Sequence, residues 1–166
     1  MNIRLANIEE YNQIKKIYEA VKEDLKKREI VMWTSVYPLD VIESDIDNNA
    51  MYVLENNENE ILGCFVLQNE DKQYDTIKWQ LKGKPLYIER VVINPLCQGQ
   101  GLSNKIMKFI MKYAKDNGYE IIRLTVLENN DRAVSLYKKY GFIETDRGSH
   151  MTKSGRVAYA MERKVY

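Results

Sequence analysis

The first part of the chain shows two patterns of hydrophobic residues, one with the period of a strand and one with the period of a helix. Apolar and polar residues alternate over 2–6, which predicts a first strand. Over 8–25 the apolar positions recur every three or four residues opposite a Lys- and Glu-rich face, which predicts an amphipathic helix. Pro38 suits the first position of a second helix. Two β-rich runs, 51–55 and 61–68, flank an Asn-rich turn and predict a hairpin.

Helices and strands are predicted to alternate in the second part of the chain. The expected elements are a strand that stops before Pro95, a helix over 101–117, an interior strand over 120–127, a helix after Asn130 and strands over 142–146 and 156–164, with a loop over 147–151. This order predicts a single α/β (α+β) domain spanning 1–166. Its central sheet should be mixed and mostly antiparallel, with about seven strands and about four helices. The unit from 86 to 127 should be a right-handed parallel β-α-β crossover.

Composition and charge exclude several classes of protein. Twenty-five Lys and Arg residues against 24 Asp and Glu residues leave a net charge of +1, which argues against a nucleic-acid partner held by bulk charge. No apolar run approaches the roughly 20 residues that span a bilayer. The N-terminus lacks the apolar core of a signal peptide, so a cytoplasmic location without membrane attachment is expected. Cys64, Cys97 and one histidine form neither a disulfide framework nor a metal-ligand spacing, so no metal is expected.

A glycine-rich turn joins the strand before Pro95 to the following helix. Helix N-termini carry N–H groups without intrahelical partners, and glycine allows close approach of a ligand, so this junction predicts an anion cradle. A Walker loop is excluded because the chain has no G-x-x-x-x-G-K-[ST] run. A dinucleotide fingerprint fails at Asn104, where it needs glycine. The remaining pattern, Q/R-x-x-G-x-G/A, fits residues 98–103 with Ser103 in the last place.

A second motif lies downstream of the glycine turn. Residues 130–142, Asn-Asp-Arg-Ala-Val-Ser-Leu-Tyr-Lys-Lys-Tyr-Gly-Phe, closely resemble the N-x-x-A-x-x-L-Y-x-x-x-G-F segment of the GNAT superfamily of acyl-CoA-dependent N-acetyltransferases. The two motifs stand in the family's order with a strand between them. The resemblance is strong over 87–142 and extends in element order to the whole chain. It implies a GNAT-like sheet with a splayed parallel strand pair at the cofactor site.

The resemblance assigns acetyl-CoA as cosubstrate. It places the backbone of Val91, Val92 and Ile93 beside the acetyl and pantetheine groups. The N–H groups that it places on the pyrophosphate are those of Gly99, Gln100, Gly101, Leu102, Ser103 and Asn104. Gln98 is also expected among the residues that bind the cosubstrate. Asn130 would hydrogen-bond the cosubstrate, although an asparagine there also suits a helix N-cap.

Two side chains are candidates for the proton transfers. Tyr137 matches the family tyrosine that protonates the departing thiolate, and its alternative role is helix packing. The general base is less defined, because Tyr87 and Thr125 occupy places where some relatives carry glutamate. Glu89 should share a strand face with Tyr87 and Val91, which makes it a candidate base acting through water. The competing interpretation pairs Glu89 with Lys or Arg at the sheet surface.

The sequence does not identify the amine that accepts the acetyl group. Trp33 and Tyr37 suit either the wall of a substrate pocket or packing under a helix. The resemblance implies a small-molecule or peptide amine as substrate, and a homodimer as an oligomeric state to test. The leading function is therefore acetyl transfer to a primary amine by direct attack in a ternary complex. The alternative is a non-catalytic acyl-CoA-binding regulatory module.

Overall fold

A seven-stranded mixed sheet with the hydrogen-bonded order β1-β2-β3-β4-β5-β7-β6 is the central element of the computed structural model. The structure describes residues 1–70, 74–152 and 155–166, without the side chains of 147–150. The strands are β1 (Asn2–Leu5), β2 (Met51–Glu55), β3 (Ile61–Gln68), β4 (Pro85–Ile93), β5 (Ile121–Leu127), β6 (Ile143–Met151) and β7 (Val157–Lys164). The helices are α1 (Tyr11–Lys27), α2 (Ile42–Asp47), α3 (Leu102–Asp116) and α4 (Asp131–Lys139). The predicted fold class is confirmed.

The parallel pair of the sheet follows the predicted crossover. Strands β4 and β5 are joined by α3, and their parallel ladder aligns Pro85 with Ile121, and Tyr87 with Arg123. The β2–β3 hairpin has the predicted bounds and is antiparallel. Both elements depend on local patterns, because periodicity and turn residues specify them within a short stretch of chain.

The structure corrects three predicted boundaries, one of which is the start of the first helix, because residues 8–10 form a 3₁₀ turn before α1. Residues 147–151 were expected to form a loop, but they belong to β6, which pairs antiparallel with β7 as far as the Met151–Val157 pair. The ladder supplied by β7 outweighs the turn character of the Gly-Ser sequence there. The second helix begins later than predicted, because residues 39–41 form a 3₁₀ turn in which the Val41 N–H donates to the Pro38 carbonyl at 3.2 Å.

The chain divides into two compact units. The first comprises residues 1–67 and 89–106, and the second comprises 68–88 and 107–166. In the first unit, Ile14 and Tyr18 of α1 and Ile42 of α2 pack with Val53 of β2 and Val92 of β4 in one buried apolar cluster. This cluster attaches the two N-terminal helices to their strands. No helix within the described ranges is long and apolar enough to cross a membrane.

A buried carboxylate organises the second unit. Glu162 of β7 is fully buried, and it accepts hydrogen bonds from the backbone N–H groups of Gln80 at 2.7 Å and Leu81 at 3.0 Å. It also accepts from the Thr145 hydroxyl at 2.9 Å and from Arg123 Nε at 3.2 Å. These four bonds fasten the segment before β4 to strands β5, β6 and β7 of the same unit. The described part of this long connection is therefore ordered against the sheet.

Candidate active site

The glycine turn after β4 adopts the backbone that an anion cradle requires. Gly99 and Gly101 have φ values of 80° and 71°, in the left-handed region that favours glycine. A Cβ atom built on either glycine would meet no atom within 4 Å, so the space above the turn is open. Helix α3 begins at Leu102. Among the described residues, the backbone N–H groups of 99–103 have no protein acceptor.

Two of the predicted loop residues have protein partners. The Asn104 N–H donates to the Gly101 carbonyl at 3.1 Å, as part of the first turn of α3. The side-chain amide of Gln98 lies 3.5 Å from Asp24 Oδ2 on α1. The loop is also tied to β3 at its start, because the Asn94 N–H donates to the Leu62 carbonyl at 2.8 Å. The open donors therefore sit on a turn whose two ends are held by the first unit.

Strand β4 approaches its neighbour β3 closely where the acetyl group was predicted to lie. A Cβ atom on Gly63 would stand 2.7 Å from the Val92 carbonyl oxygen, a distance that real side chains do not adopt. Val92 is buried, whereas Val91 and Ile93 are half-buried. Glycine at position 63 therefore permits the backbone contact that fixes this end of β4.

An irregular residue interrupts β4 beside Glu89. Arg90 has a φ of 51°, which costs a residue with a Cβ roughly 1–3 kcal/mol and persists only where surrounding contacts hold it. In a regular strand Glu89 and Arg90 would point to opposite faces. Instead, Arg90 Nη1 donates to Glu89 Oε2 at 2.5 Å. The alternation that placed Glu89 and Val91 on one face therefore does not hold across Arg90.

Arg90 collects partners from three parts of the first unit. Its Nε and Nη2 donate to the two carboxylate oxygens of Asp45 on α2 at 3.0 and 2.8 Å, and its Nη1 donates to the Tyr37 hydroxyl at 3.0 Å. The Tyr18 hydroxyl of α1 donates to the Arg90 carbonyl at 2.8 Å. Glu89 is paired with arginine, as one interpretation expected, but the pair is buried, with side-chain exposures of 2% and 8%.

Burial and charge act in opposite directions on this cluster. Burial by itself lowers the pKa of the Arg90 guanidinium, but the neighbouring Glu89, Tyr37 and Asp45 outweigh it, so the pKa is raised. Burial also raises the pKa of the Tyr37 phenol, and Arg90 partly offsets that effect. At neutral pH the cluster therefore holds a permanent cation and a protonated phenol.

The two aromatic candidates for a substrate wall differ in their surroundings. The Trp33 ring lies 5.7 Å from the Tyr18 ring and packs against the apolar cluster of the first unit. Tyr37 instead directs its hydroxyl to Arg90. Tyr37 and Glu89 therefore contact the same guanidinium, that of Arg90. Trp33 contacts Tyr18, whose hydroxyl donates to the Arg90 carbonyl.

The second unit contains Asn130 and Tyr137. Asn130 precedes α4 as its N-cap, and its side-chain oxygen accepts from the Ala133 N–H at 3.5 Å. Tyr137 is 7% exposed and stands edge-on to the Phe142 ring at 5.6 Å. Burial raises the pKa of the Tyr137 phenol to about 12. The phenol is therefore protonated at neutral pH and can donate a proton or hydrogen bond.

Sequence reasoning missed Arg90, Asp45 and Tyr18. The available signal was the adjacent pair Glu89-Arg90 inside a strand that is otherwise mostly apolar. Two consecutive charges in such a strand call for buried partners, because an unpaired buried charge is costly. Nothing in the local pattern, however, identifies residue 45 as the partner.

The chain is similar in sequence and in fold to known acetyltransferases. The profile of the Acetyltransferase (GNAT) family matches residues 15–142, and the chain belongs to this family, whose cosubstrate is acetyl-CoA. The resemblance drawn from the two sequence motifs is confirmed.

The individual relatives are similar over different extents. The thialysine N-epsilon-acetyltransferase of Bos taurus is 42% identical over 60 residues, which cover 36% of this chain and 35% of that protein. The mouse enzyme of the same name is 39% identical over 59 residues, covering 36% and 35%. The chain thus matches about a third of the length of these curated relatives.

Solved structures show the fold along nearly the whole chain. A GNAT-family acetyltransferase from Streptococcus agalactiae 2603 superposes with a TM-score of 0.84 at 21% identity, covering 99% of this chain and 95% of that one. A GNAT-family acetyltransferase from Listeria monocytogenes 4b F2365 superposes with a TM-score of 0.79 at 20% identity, covering 98% and 94%. At these identities the likeness concerns the fold alone.

The glycine turn yields a binding prediction with a matched control. In Gly101→Ala the new methyl group enters the open space over the free N–H groups, so the Kd for coenzyme A should rise about tenfold or more, which is about 1.4 kcal/mol. Gly118→Ala introduces a similar strain, because Gly118 has a φ of 68° and open surroundings, but it lies after α3. Isothermal titration with coenzyme A should separate the two variants. Equal affinities for both variants and the parent would contradict the cradle.

Proposed function

We propose that the protein transfers an acetyl group from acetyl-CoA to a primary amine by direct attack in a ternary complex. The observation that carries this proposal is the turn of Gly99 and Gly101, where the five consecutive N–H groups of 99–103, at the start of α3, have no acceptor within the described part of the chain. A helix N-terminus with open donors favours a phosphate group. Membership of the GNAT family supports coenzyme A as the phosphate-bearing ligand.

The remaining cosubstrate contacts follow the family pattern. The pyrophosphate binds the N–H groups of the glycine turn, and the backbone of 91–93 lies beside the acetyl and pantetheine groups. Asn130 adds a hydrogen bond from its side-chain amide, whose nitrogen stays available while its oxygen caps α4. No residue needs to form a covalent acyl-enzyme.

The chemical step exchanges one bond for another. The neutral amine nitrogen attacks the thioester carbon, a C–N bond forms, and the C–S bond breaks with its electron pair on sulfur. Tyr137 donates its phenolic proton to the departing thiolate. The raised pKa of Tyr137, about 12, keeps this proton in place throughout the physiological pH range. The ammonium form of the acceptor must lose a proton before attack, and Glu89 is the proposed base, acting through water. After attack the nitrogen is positively charged and loses a second proton as the C–S bond breaks. This second proton passes through water to the Tyr137 oxygen and restores the phenol.

Tyr137→Phe tests the proton donor. The variant keeps the ring that packs on Phe142 but loses the hydroxyl, so kcat should fall about 100-fold, within the range typical of general acid catalysis. In the parent, loss of the phenolic proton should lower kcat only as the pH approaches 12. Steady-state rates between about pH 6 and about pH 10 should therefore show the deficit at every pH. Turnover equal to the parent at all pH values would remove Tyr137 from the mechanism.

Glu89→Gln tests the proposed base. The amide keeps the size of the side chain and can still accept from Arg90, but it cannot take up a proton. The kcat/KM for the amine should fall about 100-fold, and the acidic limb of its pH profile should change. Glu128→Gln, an exposed glutamate after β5, is the control and should match the parent. A variant profile identical to the parent would exclude Glu89 as the base.

An acceptor panel tests the function as a whole. The chain should release free thiol from acetyl-CoA when a suitable amine is present, measured with a thiol reagent. The panel includes thialysine, the amine in the name of the bovine relative, together with lysine, polyamines and peptide N-termini. Mass spectrometry should find a product heavier than the amine by the mass that one acetyl group adds in place of a hydrogen. Binding of acetyl-CoA without turnover of any amine would contradict catalysis and favour a regulatory acyl-CoA-binding module.

A further inference from the structure

We propose that Arg90 is a positioning residue that holds the Glu89 carboxylate and the Tyr37 hydroxyl in one fixed arrangement for acceptor deprotonation. The inference rests on the proposed role of Glu89 and deepens it. Neither the family motifs nor the glycine turn includes Arg90. The role follows from the contacts of its side chain, from its backbone conformation and from its burial.

Different nitrogens of the Arg90 guanidinium bind different partners. Nε and Nη2 form one edge and bind both oxygens of Asp45, which fixes the plane of the group. Nη1 lies at the other end and donates to Glu89 and to Tyr37. With the plane fixed by Asp45, the two hydrogens of Nη1 can point in only two directions. Asp45 thereby orients Arg90, and Arg90 orients Glu89.

The backbone of Arg90 supports the same arrangement. Its φ of 51° allows two consecutive side chains, Glu89 and Arg90, to meet on one side of β4. The Tyr18 hydroxyl holds the Arg90 carbonyl at 2.8 Å, and Tyr18 is itself fully buried in α1. A left-handed residue with a long side chain persists only where such contacts over-determine it. The irregularity and the ion pairs therefore depend on each other.

Lysine cannot reproduce this geometry. An ammonium group is a point charge with three donors on a flexible stem, whereas the guanidinium is a planar fork. The Arg90→Lys substitution would keep a positive charge near Glu89 but would lose the bidentate grip on Asp45. The charge and the orientation supplied by Arg90 can therefore be separated experimentally.

Several titratable groups face this site from neighbouring elements. They are Asp45 on α2, Tyr37 before it, Tyr18 on α1 and Cys64 on β3. Burial raises the pKa of Tyr18 and of Cys64, so both stay neutral at ordinary pH. Arg90 is the cation in contact with Glu89 that stabilises its charged form. Removal of that cation should therefore make the carboxylate accept a proton at higher pH.

The test compares Arg90→Met, Arg90→Lys and Asp45→Asn with the exposed control Asp47→Asn on the same helix. In Arg90→Met, kcat for amine acetylation should fall about tenfold or more, and the acidic limb of kcat/KM should move up by about one pH unit. Arg90→Lys should restore the position of the limb but not the rate. Asp45→Asn should lower kcat with a smaller shift of the limb, and Asp47→Asn should match the parent.

A second measurement needs no turnover. The side-chain carboxyl ¹³C resonance of Glu89, assigned by its loss in Glu89→Gln, is followed against pH in the parent and in Arg90→Met. A higher midpoint in Arg90→Met supports the inference even if the amine panel fails. An unchanged midpoint overturns it, even if the variant melts at a lower temperature and the parent acetylates amines. The failure of the proposed function and the failure of this inference therefore give different results.

Discussion

The buried ion pairs of Arg90 are the interactions on which the arrangement of Glu89, Asp45 and Tyr37 depends. Two carboxylates, from Glu89 and Asp45, meet the guanidinium inside a region that excludes most solvent. A buried charge left without its partner costs about 3–5 kcal/mol, so the groups that meet at Arg90 cannot separate without penalty. Strand β4, helix α2 and the segment that carries Tyr37 are consequently held in one arrangement. The apolar cluster around Tyr18 supplies the driving force for folding in this unit, but the ion pairs specify which polar atoms meet.

The second unit is also held together by a buried charged group, but here the group is a carboxylate rather than a guanidinium. Glu162 has no solvent exposure, and it fixes the backbone at Gln80 and Leu81 through direct hydrogen bonds. Arg123 completes the site by pairing with Glu162 and stacking on the Trp79 ring at 4.7 Å. In both units, a segment that the sequence leaves irregular is held by a buried ion pair. Buried polar networks are costly unless satisfied, and when satisfied they rigidify a unique arrangement.

The parts of the fold that could be predicted from sequence are those specified locally. The β2–β3 hairpin and the glycine turn before α3 follow from periodicity and turn residues within a few positions. The extension of β6 through 147–151 depends on pairing with β7, and no property of the Gly-Ser stretch itself indicates it. The conformation of Arg90 likewise depends on Asp45, which lies 45 residues away in the chain. Sequence periodicity assigns Glu89 to a strand, but it cannot show that the next residue has a left-handed backbone.

This difference between local and distant contacts explains why the family can be recognised from sequence and the acceptor cannot. Coenzyme A recognition, as proposed, needs open backbone donors, and two glycines before a helix supply them whatever the rest of the chain does. Acceptor recognition, as proposed, needs side chains such as Tyr37 and Glu89 to converge from separate elements. That convergence involves the left-handed backbone of Arg90, the bidentate contact with Asp45 and the hydrogen bond from the buried Tyr18. If the proposed roles of Tyr37 and Glu89 hold, the acceptor depends on this distant convergence, whereas the glycine turn depends only on residues next to one another in the chain.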